Sequence, residues 1–380
     1  MSEFQYYEWQ TVDRVLNPAE QAAVNRLSSH IEVSPGKAVV TYNWSDFRHD
    51  PKEVLLKYFD AFFYYANWGS LRLMFRFPKG LINEKDLEPF WDGEYVSFET
   101  YGDYQVLDID FNPEDGGWMD EAVVDLSDFI SLRADLLKGD YRLLYLTWLK
   151  EMAFDDEDED EQDEEEDGHS DNLEPPIPAG LNKLSPALQT IVDVFDIDPF
   201  LVQAAAEASQ DLRETPEIDY RQLIPRLTRP ECDDFLTRLA ARDAAVGMAL
   251  RKRLGEFLPH NQALQAAGKR KLEELHRRAR QLEEAEDKRQ TEEALRKHIA
   301  EMKDLAQREN QVWLQVDQLL ENGRKIASVY AAATALLESL QDLAEFQGTR
   351  EIFLSRVQKL AEKFALRPSL IKRWEQRGWV

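Results

Sequence analysis

A chain of 380 residues with 43% hydrophobic and 11% aromatic side chains can fill two or three folded cores, which excludes a wholly disordered polymer. Its one cysteine, Cys232, excludes an internal disulfide and a multi-cysteine metal cage. The formal net charge of −27 makes the chain as a whole repel phosphate and attract basic surfaces.

The charge is uneven. Residues 1–150 carry 26 acidic and 14 basic side chains, 151–182 carry 15 acidic and none basic, and 183–380 carry 32 of each. The start, MSEFQYYEWQTVDR, has no basic-then-apolar leader pattern. No apolar run approaches the ~20 residues of a membrane span. With cysteine so scarce, a cytoplasmic location away from membranes is expected.

In chain order, Asn17-Pro18-Ala19-Glu20 supplies an N-cap, a first-turn proline and a capping-box glutamate, predicting a helix to about Ser29. Lys37 to Trp44 is β-branched and aromatic, a strand. Asp50-Pro51 opens a second helix, expected to continue through AFFYYAN to Asn67. Val54, Leu55, Tyr58, Phe59, Phe62, Phe63 and Tyr65 recur at helical spacing there. Ser70 to Phe77 alternates cleanly and reads as a strand with one buried face. Residues 95–111 predict a hairpin turning at Gly102-Asp103. Two helices, over 119–138 and after Gly139-Asp140, close an acidic α+β domain over 1–153. It is built on a small, mostly antiparallel sheet.

Residues 155–167 read DDEDEDEQDEEED, twelve acids in thirteen positions. Such density resists packing, so 154–180, with its prolines, is expected to be a disordered acidic linker. Beyond it an all-α body is expected: a helical domain over 181–262, then a long helical arm or hairpin with terminal helices over 263–380. Ser185-Pro186 and Asp198-Pro199 each start a helix. Lys269 to Asn322 contains neither Gly nor Pro and is rich in helix formers. Its apolar residues sit at coiled-coil spacing on both sides of 283–293, where Ala285 is the lone apolar residue. That stretch is an exposed bridge or the tip of a hairpin, and self-association through 269–322 is one use for it. Leu366-Arg367-Pro368-Ser369 separates the last two helices.

No phosphate-cradling, dinucleotide or hydrolase-elbow motif is present, and no two histidines lie three or four apart. No cofactor and no catalytic residue is therefore expected. Asp108-x-Asp110-x-Asn112-x-Glu114-Asp115 spaces oxygen ligands as a hard cation needs. Pro113 and Met119, however, stand where a calcium loop has Gly and Glu. From Asp86 to Leu132 there are fourteen carboxylates and no Lys or Arg.

Aromatics beside those acids suggest a docking face for a basic protein: Trp91, Tyr95, Glu99, Tyr101, Asp103, Tyr104, Asp108, Asp110, Glu114, Asp115 and Trp118. Trp374 and Trp379 near the C-terminus are a further candidate contact. A basic patch comprises Arg251, Lys252, Arg253, Lys269, Arg270, Lys271, Arg277, Arg278 and Arg280, and the tail 350–380 holds eight basic and three acidic residues. Each can be a solvated face, a dock for the acidic linker, or a phosphate track. The sequence pI near 4.7 speaks against direct nucleic-acid binding as the main activity. The expectation is a non-catalytic adaptor or regulatory subunit bridging a larger assembly. The alternatives are an acidic nucleic-acid mimic or chaperone acting on a DNA- or RNA-binding partner, and a carboxylate metal enzyme using Asp108 and Asp110.

Overall fold

The strand read at 71–77 and the turn at 102–103 are realised in a seven-stranded antiparallel sheet, but 71–77 is buried on both faces rather than one, since helices cover each side and Met74 and Arg76 are buried along with Leu71, Leu73, Phe75 and Phe77. In the computed structural model the described residues are 4–90, 95–112, 124–159, 173–212, 219–241, 243, 246–257, 270–322 and 327–380, the side chains of 153–159 excepted. The strands are β1 (Gln5–Gln10), β2 (Glu32–Val33), β3 (Lys37–Tyr42), β4 (Ala61–Ala66), β5 (Leu71–Pro78), β6 (Val96–Tyr101) and β7 (Tyr104–Phe111), in the order β2-β3-β1-β4-β5-β7-β6. Helices α1 (Pro18–Val24) and α2 (Pro51–Tyr58) cover one face. Helices α3 (Ile130–Leu137), α4 (Arg142–Glu159), α5 (Pro186–Val194) and α6 (Pro199–Ala206) cover the other.

The capping box at Asn17 and Glu20 forms as the sequence implies, and Gly102 adopts the positive φ of +58° that its hairpin turn requires. The segment 61–66 corrects the helix expected to Asn67. It is the central strand β4, paired to β1 and β5. Ala61, Phe63 and Tyr65 face the α3–α6 side, and Phe62 faces the α1–α2 side. A strand buried on both faces shows a continuous apolar run rather than alternation, so it continues the helical pattern of α2 without a visible break. Burial of each phenylalanine contributes about 1.5–3 kcal/mol. Helix propensity spans only about 0.7 kcal/mol per ordinary residue. Burial therefore decides.

The break between α2 and β4 is made by Asp60. Its carboxylate accepts from the backbone N–H groups of Val12 (2.7 Å) and Asp13 (3.0 Å) and from Arg76 Nη2 (2.6 Å). Arg76 Nη1 donates to the Leu56 carbonyl at 2.6 Å, tying down the last turn of α2. Arg133 of α3 donates to the Arg76 carbonyl at 2.9 Å and forms a two-pronged pair with Asp13.

The ends of the expected acidic linker are structured. The α4 backbone runs to Glu159, residues 160–172 lie outside the described residues, and 173–180 return to the core. There Glu174 is buried, and Leu181 with α5 and α6 completes the same apolar cluster as the sheet. Packing therefore does not change near residue 181. The chain divides into compact units at Met1–Leu282 and Glu283–Val380.

Helices α7 (Tyr220–Leu223), α8 (Arg229–Ala240) and α9 (Val246–Gly255) finish the first unit before α10 (Leu272–Gln307) begins. Helix α10 has 36 residues and passes through 283–293 without a turn, so the hairpin alternative at that stretch does not hold. Its early residues Leu275 and Ala279 are buried in the first unit, and Met302 and Leu305 in the second. The second unit adds α11 (Glu309–Asn322), α12 (Ala327–Gln347), α13 (Arg350–Lys363) and α14 (Pro368–Glu375). Among the described residues no helix is long and apolar enough to cross a membrane.

Arg76→Met leaves the Asp60 carboxylate buried beside backbone donors alone. Urea unfolding should show a loss of about 3–5 kcal/mol, the usual result of stranding one member of a buried ion pair.

Candidate functional site

Along the sequence the acidic window reads as a docking face because it lacks cations. In three dimensions the neighbouring elements supply them. Asp108 points from β7 and is buried. Arg72 of β5 grips it with Nε at 2.8 Å and Nη2 at 2.7 Å, and Lys52 of α2 reaches it at 2.8 Å. Arg72 also meets Asp110 at 3.2 Å. Burial disfavours the Asp108 carboxylate, but the hydrogen bonds and charge of Arg72, then Lys52, outweigh it and hold its pKa low. At Asp110 burial prevails over Arg72 and the carboxyl is pushed upward, with Asp108 adding to the rise. A metal at Asp108 would have to displace two cations already in place. Among the described residues no three His, Cys, Asp or Glu side chains gather as a metal site.

The other predicted residues scatter. Lys52 lies over the Tyr101 ring at 5.7 Å, and the Tyr101 hydroxyl donates to Glu99. Tyr104 carries the Arg76 guanidinium on its face at 4.3 Å. Tyr95 stacks on Phe111 at 5.2 Å. Glu99 and Asp103 are exposed. Trp91, Glu114, Asp115 and Trp118 lie outside the described residues. A single negative face is therefore not assembled from the described members of this set. Lys52 and Arg72 are invisible to a linear reading because their positions lie 56 and 36 residues from Asp108, and only strand pairing and helix packing join them.

Asp125 shows the same compensation. It pairs with Lys37 at 2.5 Å, and Lys37 also reaches the buried Glu8 at 2.7 Å. Burial opposes ionisation of Asp125, yet Lys37 and the donors of Ser127 bring its pKa down to about 2.

The basic patch is likewise divided. Arg270 binds Glu174 with Nη2 at 2.6 Å and Nε at 2.8 Å, and Nη1 caps the α6 carbonyl of Ala204 at 2.8 Å. The Tyr145 hydroxyl donates to the same glutamate, which is fully buried. This is a self-docked end of the acidic segment. Arg278 grips Glu207 at 2.5 and 2.8 Å. Arg253 pairs with Glu231 at 2.7 Å and Glu256 at 2.6 Å. Lys271 bridges to Leu173 through its backbone, and Lys269 lies outside the described residues. Arg251, Lys252, Arg277 and Arg280 remain exposed.

Trp374 and Trp379 are buried in the second unit's own core. The Trp379 indole donates to Gln341 at 2.5 Å and its ring meets Phe353 edge-on at 5.7 Å. Their surfaces are used internally and leave little for a partner.

A surface absent from the sequence-derived candidates lies on α8. Leu236 and Leu239 are each 61% exposed, and Ile224 beside α7 is 47% exposed. Leu223, Val246 and Leu254 are buried under these three helices but join none of the three large apolar clusters. The signal is present in Phe235, Leu236 and Leu239, one helical stripe flanked by Asp233, Asp234 and Arg238. No family model, curated protein or solved structure matches this chain.

The Lys37–Asp125 pair has a defined pH signature. A carboxyl held below its ordinary 3.8 stabilises the fold fully above that value and loses its contribution as pH falls toward about 2. The melting-temperature gap between the native chain and Asp125→Asn should therefore be widest near neutrality and close across that acid range.

Proposed function

We propose that this chain is a non-catalytic bridging protein, an adaptor or regulatory subunit. The observation that carries the reading is α10. Between Asp287 and His298 every residue of this helix is exposed, yet its two ends belong to separately cored units. A helix without core contacts along three turns does not stabilise either unit through burial, so its retention fits a covalent spacer between two binding bodies.

The α8 face supplies the first body with a protein contact. Leu236 and Leu239 lie three apart on one helix surface, as in helix-mediated docking. Exposed Glu99 and Asp103 favour a basic partner over an acidic one, and act at the periphery. Cytoplasmic residence agrees with the scarcity of cysteine.

The reading is tested by inserting a protease site within 287–291 of the full chain and capturing partners before and after cleavage. A bridging protein releases one set of partners on cleavage while keeping the other. Leu236→Glu with Leu239→Glu should lose the set held by the first unit, with an unchanged circular-dichroism melt, whereas Glu99→Lys with Asp103→Lys should weaken it by less than tenfold, as peripheral charges do. Retention of all partners by one half after cleavage would refute bridging.

A further inference from the structure

We propose that α13, its following turn and α14 form a helix-turn-helix that binds duplex DNA, with α14 entering the major groove. The inference does not rest on the bridging role. Its basis is a local architecture and a local charge.

The architecture is two helices joined by four residues, Phe364 to Arg367, both packed against α12. A turn of three or four residues between two such helices is the arrangement that presents a second helix to DNA. Helix α14 is short, about 12 Å at 1.5 Å per residue. It is also held firmly. Leu370 and Trp374, four apart, are completely buried, and Arg377 just beyond the helix pairs with Glu338 at 2.6 Å. The burial of Trp374 and Trp379 thus acquires a purpose: it fixes the orientation of the opposite face.

That opposite face carries Ser369, Lys372, Glu375 and Gln376, all exposed, with Arg373 half-exposed on its flank. None is apolar. A protein interface depends on apolar and aromatic anchors; the α14 face has none, and the exposed Leu366 belongs to the preceding turn. Hydroxyl, amide and cationic groups are instead what base edges and phosphates accept. The groove of duplex RNA is too narrow for a helix, which favours DNA.

The cations here differ from most others in the tail, the exposed Lys359 of α13 being the exception. Arg350, Lys363 and Arg377 are tied to Glu345, to Asp317 and Glu321, and to Glu338. Arg356 and Arg367 lie over the rings of Trp313 and Phe364, at 4.3 and 4.9 Å. Lys372 and Arg373 have no carboxylate within 4 Å among the described residues. The net charge of −27 does not override this. At physiological salt, charges beyond about 8–10 Å are screened, so the surface that touches DNA sets the contact energy.

Fluorescence anisotropy of a labelled mixed-sequence DNA duplex, titrated with the full chain from about 50 to 200 mM salt, tests the proposal. Saturable binding that weakens with salt is expected. Lys372→Glu with Arg373→Glu should weaken it at least tenfold without changing the circular-dichroism melt. The milder Lys372→Gln should lower the slope of log affinity against log salt by about one. Arg251→Glu with Lys252→Glu, on α9, should bind as the native chain does. Three outcomes would overturn the proposal: no anisotropy change at the lowest salt, equal loss from the α9 variant, or tighter binding to an RNA duplex of the same sequence.

Discussion

The first unit depends on a buried charge pair, Asp60 with Arg76. Asp60 lies between a helix and the central strand of the sheet. Its carboxylate gathers the backbone after β1, and its cationic partner gathers the end of α2. Without that convergence the apolar run from Val54 to Ala66 has no local reason to change from helix to strand. Burial raises the cost of the Asp60 charge, and Arg76 together with the backbone donors of Val12 and Asp13 more than offsets it, so the carboxyl's pKa lies below its ordinary value. Arg133 extends the arrangement to α3 through Asp13 and the Arg76 carbonyl. One cluster therefore sets the order of layers on both faces of the sheet.

The same logic governs charge elsewhere in the chain. A window of fourteen carboxylates without a cation looks like a negative surface when read in line. Folding places Lys37, Lys52 and Arg72 against Asp125, Asp108 and Asp110. Most of these contacts join a strand or loop to a different element, so their charge serves to hold layers together. At the end of the acidic segment Glu174 is fully buried against Arg270 and Tyr145. The charge most visible in the composition is thus partly internal. Lys372 of α14, by contrast, is exposed by the fold and has no carboxylate partner among the described residues.

The second unit, like the first, is cored by buried aromatic side chains. Trp313, Phe353, Trp374 and Trp379 fill a core made by short helices, and only α10 links it covalently to the rest. A core of this kind holds a terminal helix in one orientation while leaving its far side polar. Rigidity of that sort suits recognition, because little backbone freedom remains to be lost on binding.

Local features were legible from sequence. The caps at Asn17, Asp50, Ser185 and Asp198, the turn at Gly102, the alternation along β5 and the unbroken helix formers of α10 each involve residues within a few positions of one another. Helix and turn chemistry acts over that range, so the sequence by itself determined an antiparallel sheet followed by a helical region with a long arm. Tertiary structure decided the rest: that 61–66 is a strand, that Asp108 is neutralised, that Glu174 is a core residue, and that the two C-terminal tryptophans face inward. Each of these turns on a partner tens of residues away, whose approach depends on the packing of whole layers.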